Sequence, residues 1–415
     1  MSKILHHNDD DGRCAAYITK AYLVNPMDIL KPEDFIEYNY NGDLTKKYPT
    51  IKENETVYIV DISMCDAVLA FVKYIISNGG NVIHIDHHAT GIDYYENHKD
   101  EIDHDHYTPF MKNGISGAML TWIYAEVFND EGRKNPNETR YDFDDDNLRT
   151  RCCLIDDNGN PIDKNGEIIK TERDISPVPT VLRFIDDNDI WKHKIVETKP
   201  FTWGFKLNKN KHPLSQIWVE LFDDSDIRSH ANFINDIINN GTVILNYCDA
   251  VNAIRLASGF YCVVNGNYVA CVNAVDGNSM IFQDMYDNSP AVCKFSFDGE
   301  KWWYTFYSKN NGGADCAAMV EWLAREYGET CGVLSHGGHV HAAGATFKKN
   351  VIENLPIFKQ EFVDKRRQIR IDKEVAAEQR RIEEEQRRLQ AQEEKLARIR
   401  AKIEENMSDT EDYDF

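Results

Sequence analysis

Apolar positions along this chain follow two rhythms. Short runs such as Val57-Tyr58-Ile59-Val60 and Val82-Ile83-His84-Ile85 predict buried strands. Between and after them, Arg13 to Leu23, Asp66 to Ser77 and Ala118 to Phe128 carry helical spacing. Asn78-Gly79-Gly80 supplies a C-cap and turn, and Ser116 an N-cap. Alternating strand and helix patterns over 1–128 predict a parallel sheet in an α/β domain. Residues 129–175 read as a polar insertion, a turn-rich β excursion whose Asp142 and Asp144-Asp145-Asp146 lie in a solvated loop. A helix is expected over 178–191, and Ser225 to Ala253 predicts a long amphipathic helix broken near Asn239-Asn240-Gly241. Residues 257–348 alternate strands and turns around a helix from Cys316 to Tyr327, the pattern of a second, smaller α/β domain.

The tail from about 358 changes character. Val375, Ile382, Leu389, Leu396 and Ile403 recur every seven residues, but Gln379, Gln386, Glu393 and Arg400 fill the second heptad position. One apolar position per heptad is thin for a coiled coil. The tail therefore reads either as a weak coiled coil or docked helix, through which the chain meets a protein partner or its own copies, or as a solvated helix held by pairs such as Glu383–Arg387. Ser408 to Phe415 reads as a disordered acidic end.

With 415 residues, 42% of them hydrophobic, the chain has material for two or three domains. No run of eighteen apolar residues occurs, so no membrane span is expected. Met1 to Leu5 runs straight into the first motif, so no leader is expected either. Ten cysteines without paired spacing suit reduced thiols in a cytoplasmic setting. A net charge of −22 disfavours tracking along duplexes and favours a short nucleic acid or a small nucleotide as substrate.

The chemistry lies where the strands end. His7-Asn8-Asp9-Asp10-Asp11-Gly12, Asp61 and Asp86-His87-His88 each follow an apolar run. A lone strand-ending Asp is an ordinary helix cap. Three such endings within ninety residues instead predict one site at the C-terminal edge of a parallel sheet. Oxygen ligands with added imidazole suit Mn²⁺, or Mg²⁺, and a pair of such ions hydrolyses phosphate esters.

These motifs closely resemble those of the DHH phosphoesterase family, which includes oligoribonuclease-like and RecJ-like phosphodiesterases. The resemblance extends to Arg183-Phe184-Ile185-Asp186-Asp187-Asn188-Asp189-Ile190-Trp191, similar to the family's fourth motif. It extends also to Gly337-Gly338-His339-Val340-His341-Ala342-Ala343-Gly344, similar to the signature of the DHH-associated (DHHA1) domain. It implies a two-lobed α/β protein: a parallel-sheet DHH catalytic domain over 1–224, a linker helix over 225–256 and a DHHA1 substrate-binding domain over 257–357, with the charged helical tail over 358–415 lying beyond the family pattern. It implies a metal set of His7, Asp9, Asp11, Asp61, His87 and Asp187 for two Mn²⁺ or Mg²⁺ ions, with Asp189 competing for the place of Asp187 and Asp186 exposed. Asp61, Asp86, His87 and His88 are the implied catalytic group, Asp86 orienting a ligand and His88 meeting the phosphate. Gly337, Gly338, His339, Tyr307 and Ser308 are the implied substrate contacts; many family members carry Arg where Tyr307 stands. The activity implied is a two-metal phosphodiesterase acting through activated water on short oligonucleotides or small nucleotides, cyclic ones included. The alternatives are a pyrophosphatase-type phosphohydrolase, which the GGH lobe argues against, and a structural or partner-bound component that keeps the fold.

Overall fold

The computed structural model of the chain describes residues 2–48, 50–128, 141–144, 151–155, 161–162, 178–223, 225–277, 279–309 and 312–408. The chain divides into two compact units, Met1–Asn246 and Tyr247–Phe415.

The first unit runs β1 (Ser2–His7), α1 (Asp10–Ile18), β2 (Phe35–Tyr38), α2 (Leu44–Lys47), β3 (Thr56–Val60), α3 (Asp66–Ser77), β4 (Asn81–Asp86), α4 (Ala89–His98), β5 (Tyr107–Met111) and α5 (Gly117–Phe128). It continues with β6 (Tyr141–Asp144), β7 (Arg151–Ile155), β8 (Pro161–Ile162), α6 (Thr180–Asp189), α7 (Thr198–Phe205) and α8 (Gln216–Phe222), then enters α9 (Ile227–Ala257). Strands β1 to β5 form a wholly parallel sheet in the order β2-β1-β3-β4-β5. The two-residue period of each strand divides its side chains between two cores. Ile4, Tyr58 and Val60 pack with α1, α5 and α6, whereas Leu5, Val57 and Ile59 pack with Val68, Phe71, Val72 and Ile75 of α3. Both faces are covered, which is why these strands read as near-continuous apolar runs. Helix α1 gives way at Thr19 to a π-helical turn through Leu23, so the helix expected over Arg13 to Leu23 begins earlier and changes pitch.

Part of the expected insertion is described: β6, β7 and β8 form a separate antiparallel sheet, with Asp142 and Asp144 in β6. Asp145 and Asp146 lie outside the described residues, as does the acidic end beyond Ser408.

Helix α9 is continuous, contrary to the break expected at Asn239-Asn240-Gly241. Gly241 serves packing instead. A Cβ there would lie 1.7 Å from the carbonyl oxygen of Pro200, and one on Gly204 would lie 1.9 Å from that of Ile237. Helices α7 and α9 therefore touch backbone to backbone, and only glycine permits it. The boundary between the two units falls inside α9.

The second unit holds β9 (Phe260–Val264), β10 (Asn267–Asn273), β11 (Ala291–Phe297), β12 (Trp302–Tyr307), α10 (Cys316–Cys331), β13 (Val333–His339), β14 (Ala342–Phe347), β15 (Ile357–Phe358) and α11 (Lys359–Ser408). Its seven strands are ordered β13-β14-β12-β11-β10-β9-β15, and only β10 with β11 is parallel. Asn265 and Gly266, both at positive φ, make the tight β9–β10 hairpin. One face packs Cys262, Cys293, Tyr304, Phe306 and Phe347 against Met319, Val320 and Leu323 of α10. The other packs Tyr261, Ala270 and Val272 with Phe282, Met285 and Phe362. Phe362, Arg366 (to the Ala253 carbonyl, 3.2 Å) and Lys373 (to Asp284) bind the base of α11 to this unit.

Candidate metal centre

The strand register sets the site. His6 pairs with Val60, and Val60 with Ile85, so β1, β3 and β4 end side by side. Their next residues, His7, Asp61 and Asp86-His87-His88, leave the sheet at one edge. Asp9 caps α1, accepting from Gly12 N at 2.8 Å. A Cβ on Gly12 would come within 2.6 Å of the His7 carbonyl oxygen, which accounts for the motif's glycine. Asp11, in the first turn of α1, is buried and accepts from the amides of Gly117 (2.7 Å) and Ala118 (3.1 Å) at the start of α5. A helix N-terminus offers unpaired N–H groups and a positive dipole end, and Asp11 uses both.

Asp61 is at the centre. Its φ of +56° places it in the left-handed region, which aspartate tolerates better than most residues. Its Oδ1 stands 3.1 Å from His87 Nε2, and its Oδ2 stands 4.0 Å from His7 Nδ1. A Cβ on Gly117 would lie 2.7 Å from that of Asp61, so α5 also needs glycine to start so close. His7 Nδ1 bonds Asp9 at 2.6 Å, and His88 Nδ1 bonds Asp86 at 2.7 Å.

The fourth motif divides its carboxylates differently from the expectation. Asp189 Oδ2 lies 3.6 Å from His87 Nε2 and joins Asp11 and His87 in one ligand-sized group. The carboxylate of Asp187, the expected ligand, instead accepts from the amides of Lys194 (2.8 Å) and Ile195 (3.3 Å), closing the turn after α6. Asp186, expected to be exposed, is buried and takes Ser116 N at 2.8 Å and Lys192 Nζ at 2.7 Å. The cause is helical geometry: Asp186 and Asp187 lie on the buried face of α6, and Asp189 is its last residue.

Three sets of donors each gather within 4.8 Å: His7, Asp9 and Asp61; Asp61, His87 and His88; Asp11, His87 and Asp189. Asp61 and His87 each belong to two of them, the arrangement a pair of neighbouring cations needs. The electrostatics fit the same occupant. Burial, then the mutual repulsion of the carboxylates, raises Asp11 and Asp61 well above the ordinary carboxylate range and Asp189 to about 6. Burial and the neighbouring His88 lower His87 to about 4, leaving a neutral imidazole to act as ligand. Burial opposes protonation of His88, but Asp86 outweighs it and raises the ring. Asp86 itself is buried, with Oδ2 lacking a hydrogen-bond partner. Carboxylates with imidazoles are donors for Mg²⁺ or Mn²⁺.

The structure thus brings together His7, Asp9, Asp11, Asp61, Asp86, His87 and His88, and of the two competing fourth-motif carboxylates it places Asp189 among them rather than Asp187. The sequence did not disclose that amides at the start of α5 hold Asp11 and Asp186; the Ser116-Gly117 step was the available signal. In the second unit, Gly337 and Gly338, with φ of 146° and 142°, lie in β13, paired with Gly344 and Ala343 of β14. His339 is exposed at the end of that edge strand, and Ser308 Oγ lies 3.2 Å from His341 Nδ1. Tyr307 packs partly buried beside Val292 and Phe282.

The chain resembles the DHH phosphoesterases. Solved structures it is similar to include a DHH domain described as a member of a family of ribosomal proteins (14% identity, 85% of this chain and 84% of that one, TM-score 0.37). They also include a pGpG-specific phosphodiesterase from Vibrio cholerae (11% identity, 89% and 99%, TM-score 0.33). A third is an exopolyphosphatase-related protein from Bacteroides fragilis (11% identity, 89% and 90%, TM-score 0.29). No family model matches the chain, and no curated protein matches it.

Proposed function

We propose that the chain is a metal-dependent phosphodiesterase hydrolysing short oligonucleotides or small nucleotides, cyclic ones included. The observation that carries this reading is the convergence of four carboxylates and three imidazoles, with Asp61 and His87 shared between donor sets. His7, Asp9 and Asp61 would hold one cation, and Asp11, His87 and Asp189 a second with Asp61 between them, Mn²⁺ or Mg²⁺ suiting the donors. Such ions supply Lewis acidity to a phosphate and lower the pKa of water. The protein's own groups do the rest. Asp61 offers an oxygen to each side, and backbone amides fix Asp11 so that it does not swing away. His87 stays neutral, whereas His88 is pushed toward the protonated state. With Nδ1 committed to Asp86, His88 offers Nε2–H to a phosphate oxygen or to the leaving oxygen. Incubation with Mn²⁺ and a panel of dinucleotides, cyclic dinucleotides, nucleoside 3′,5′-bisphosphates and pyrophosphate tests the reading. Consumption of a phosphodiester is expected, and consumption of pyrophosphate alone would overturn it.

A further inference from the structure

In a chain of net charge −22, the segment 190–212 runs against the trend, with six lysines and one carboxylate, Glu197. It starts directly after Asp189 and comes back to the first motif where Lys211 Nζ pairs with Asp10, between Asp9 and Asp11, at 2.7 Å. Its first turn is built at a cost. Trp191 and His193 both have positive φ, 55° and 48°, unfavourable for residues with bulky side chains. Such strain persists only where the surroundings hold it, and this turn is pinned on all sides. Trp191 N donates to Asn188 O, His193 N to Asp187 O, Lys194 N and Ile195 N to the Asp187 carboxylate, and Lys192 to Asp186. What this turn presents to solvent is an indole. Trp191 is 79% exposed, its ring set edge-on to His193 at 5.0 Å. An exposed tryptophan two residues from a cluster of buried carboxylates does nothing for the core.

We propose that Trp191 is a stacking platform for a nucleobase of the substrate, so that the metal centre selects phosphodiesters carrying a base over base-free phosphates. This rests on the phosphodiesterase reading and narrows its substrate class. Every base has a π-face, so stacking selects for a base without selecting its sequence. Lys194, Lys206 and Lys209, all exposed, give the same segment the positive charge that favours an adjoining phosphate.

The test compares a linear dinucleotide with an abasic diester of equal charge on the full-length protein. Binding is read by calorimetry without divalent metal, and turnover is read with Mn²⁺. The wild type should bind the dinucleotide about tenfold more tightly than the abasic diester, with quenching of tryptophan fluorescence. Trp191→Ala should erase that preference, while Trp191→Phe keeps most of it. In turnover, Trp191→Ala should lose more on the dinucleotide than on the abasic diester. A preference that survives Trp191→Ala, or equal loss on both ligands, overturns the platform while leaving the phosphodiesterase standing. Hydrolysis of neither diester by the wild type overturns the phosphodiesterase reading, whatever the binding shows.

Discussion

The two larger sheets of this chain put opposite chemistry in protected places. The parallel sheet of the first unit ends in charges, and Asp11, Asp61, Asp86, Asp186 and Asp187 are all buried there. The mixed sheet of the second unit buries thiols and aromatic rings, and leaves its glycine-rich strand β13 exposed at an edge. The difference follows from topology. Parallel strands deliver all their C-terminal ends to one edge, where helix N-termini bring amides that can satisfy buried carboxylates. A largely antiparallel sheet sends alternate ends in opposite directions, so its functional offering is backbone at a rim. Buried charge is costly unless compensated, and in the first unit the compensation stays incomplete in a way a cation would complete.

The contrast can be broken most severely at Asp61. Asp61→Asn should cut Mn²⁺-dependent diester turnover by at least about a thousandfold with far-UV circular dichroism unchanged; near-normal turnover would leave the centre without its shared ligand. Asp189→Asn should cost about a hundredfold and weaken metal binding by calorimetry. Asp187→Ala should instead lower stability by roughly 1–3 kcal/mol, and the reverse ranking of the two in metal titrations would restore Asp187 as ligand. Gly241→Ala should lose roughly 2 kcal/mol or more in urea unfolding, because its methyl meets a backbone oxygen. The metal-stripped protein should lose stability as pH rises from about 5 to 8. Asp11, Asp61 and Asp189 have folded pKa values above their unfolded value of 3.8, so the folded state binds more protons in that window. His87, held near 4, acts in the opposite sense. The difference between wild type and Asp61→Asn in melting temperature against pH isolates the carboxylate part, and parallel curves would refute it. The smallest effect is expected from deleting residues 376–415, which keeps Phe362, Arg366 and Lys373. Diester turnover should stay within about twofold of full length, and light scattering should report any change in mass.

The sheet, its helices and the strand-end cluster were legible because buried parallel strands are near-continuous apolar runs and because charges placed directly after them have few other uses. The division of labour among Asp186, Asp187 and Asp189 was not. It depends on which residues face inward at the end of α6 and on amides supplied by Ser116, Lys194 and Ile195, contacts that local spacing does not encode. Gly241 misled for a related reason. A glycine that ends a helix and one that lets two helices touch look alike in sequence. The strained turn at Trp191 carried a signal that sequence reading passed over, the crowd of lysines in an acidic chain.

The thiols of the second unit amount to a built-in clock. Cys262, Cys271, Cys293, Cys316 and Cys331 are buried there, Cys14 is buried in the first unit, and Cys65 and Cys248 are partly exposed. Of these eight, a thiol reagent added to the native protein should modify the last two at once and reach the others only when their unit opens. Mass spectrometry of timed aliquots would then give an opening rate for each half of the chain from a single tube. Added Mn²⁺ should slow the labelling of Cys14, next to the carboxylates it would bind, and leave the five in the second unit on their own schedule.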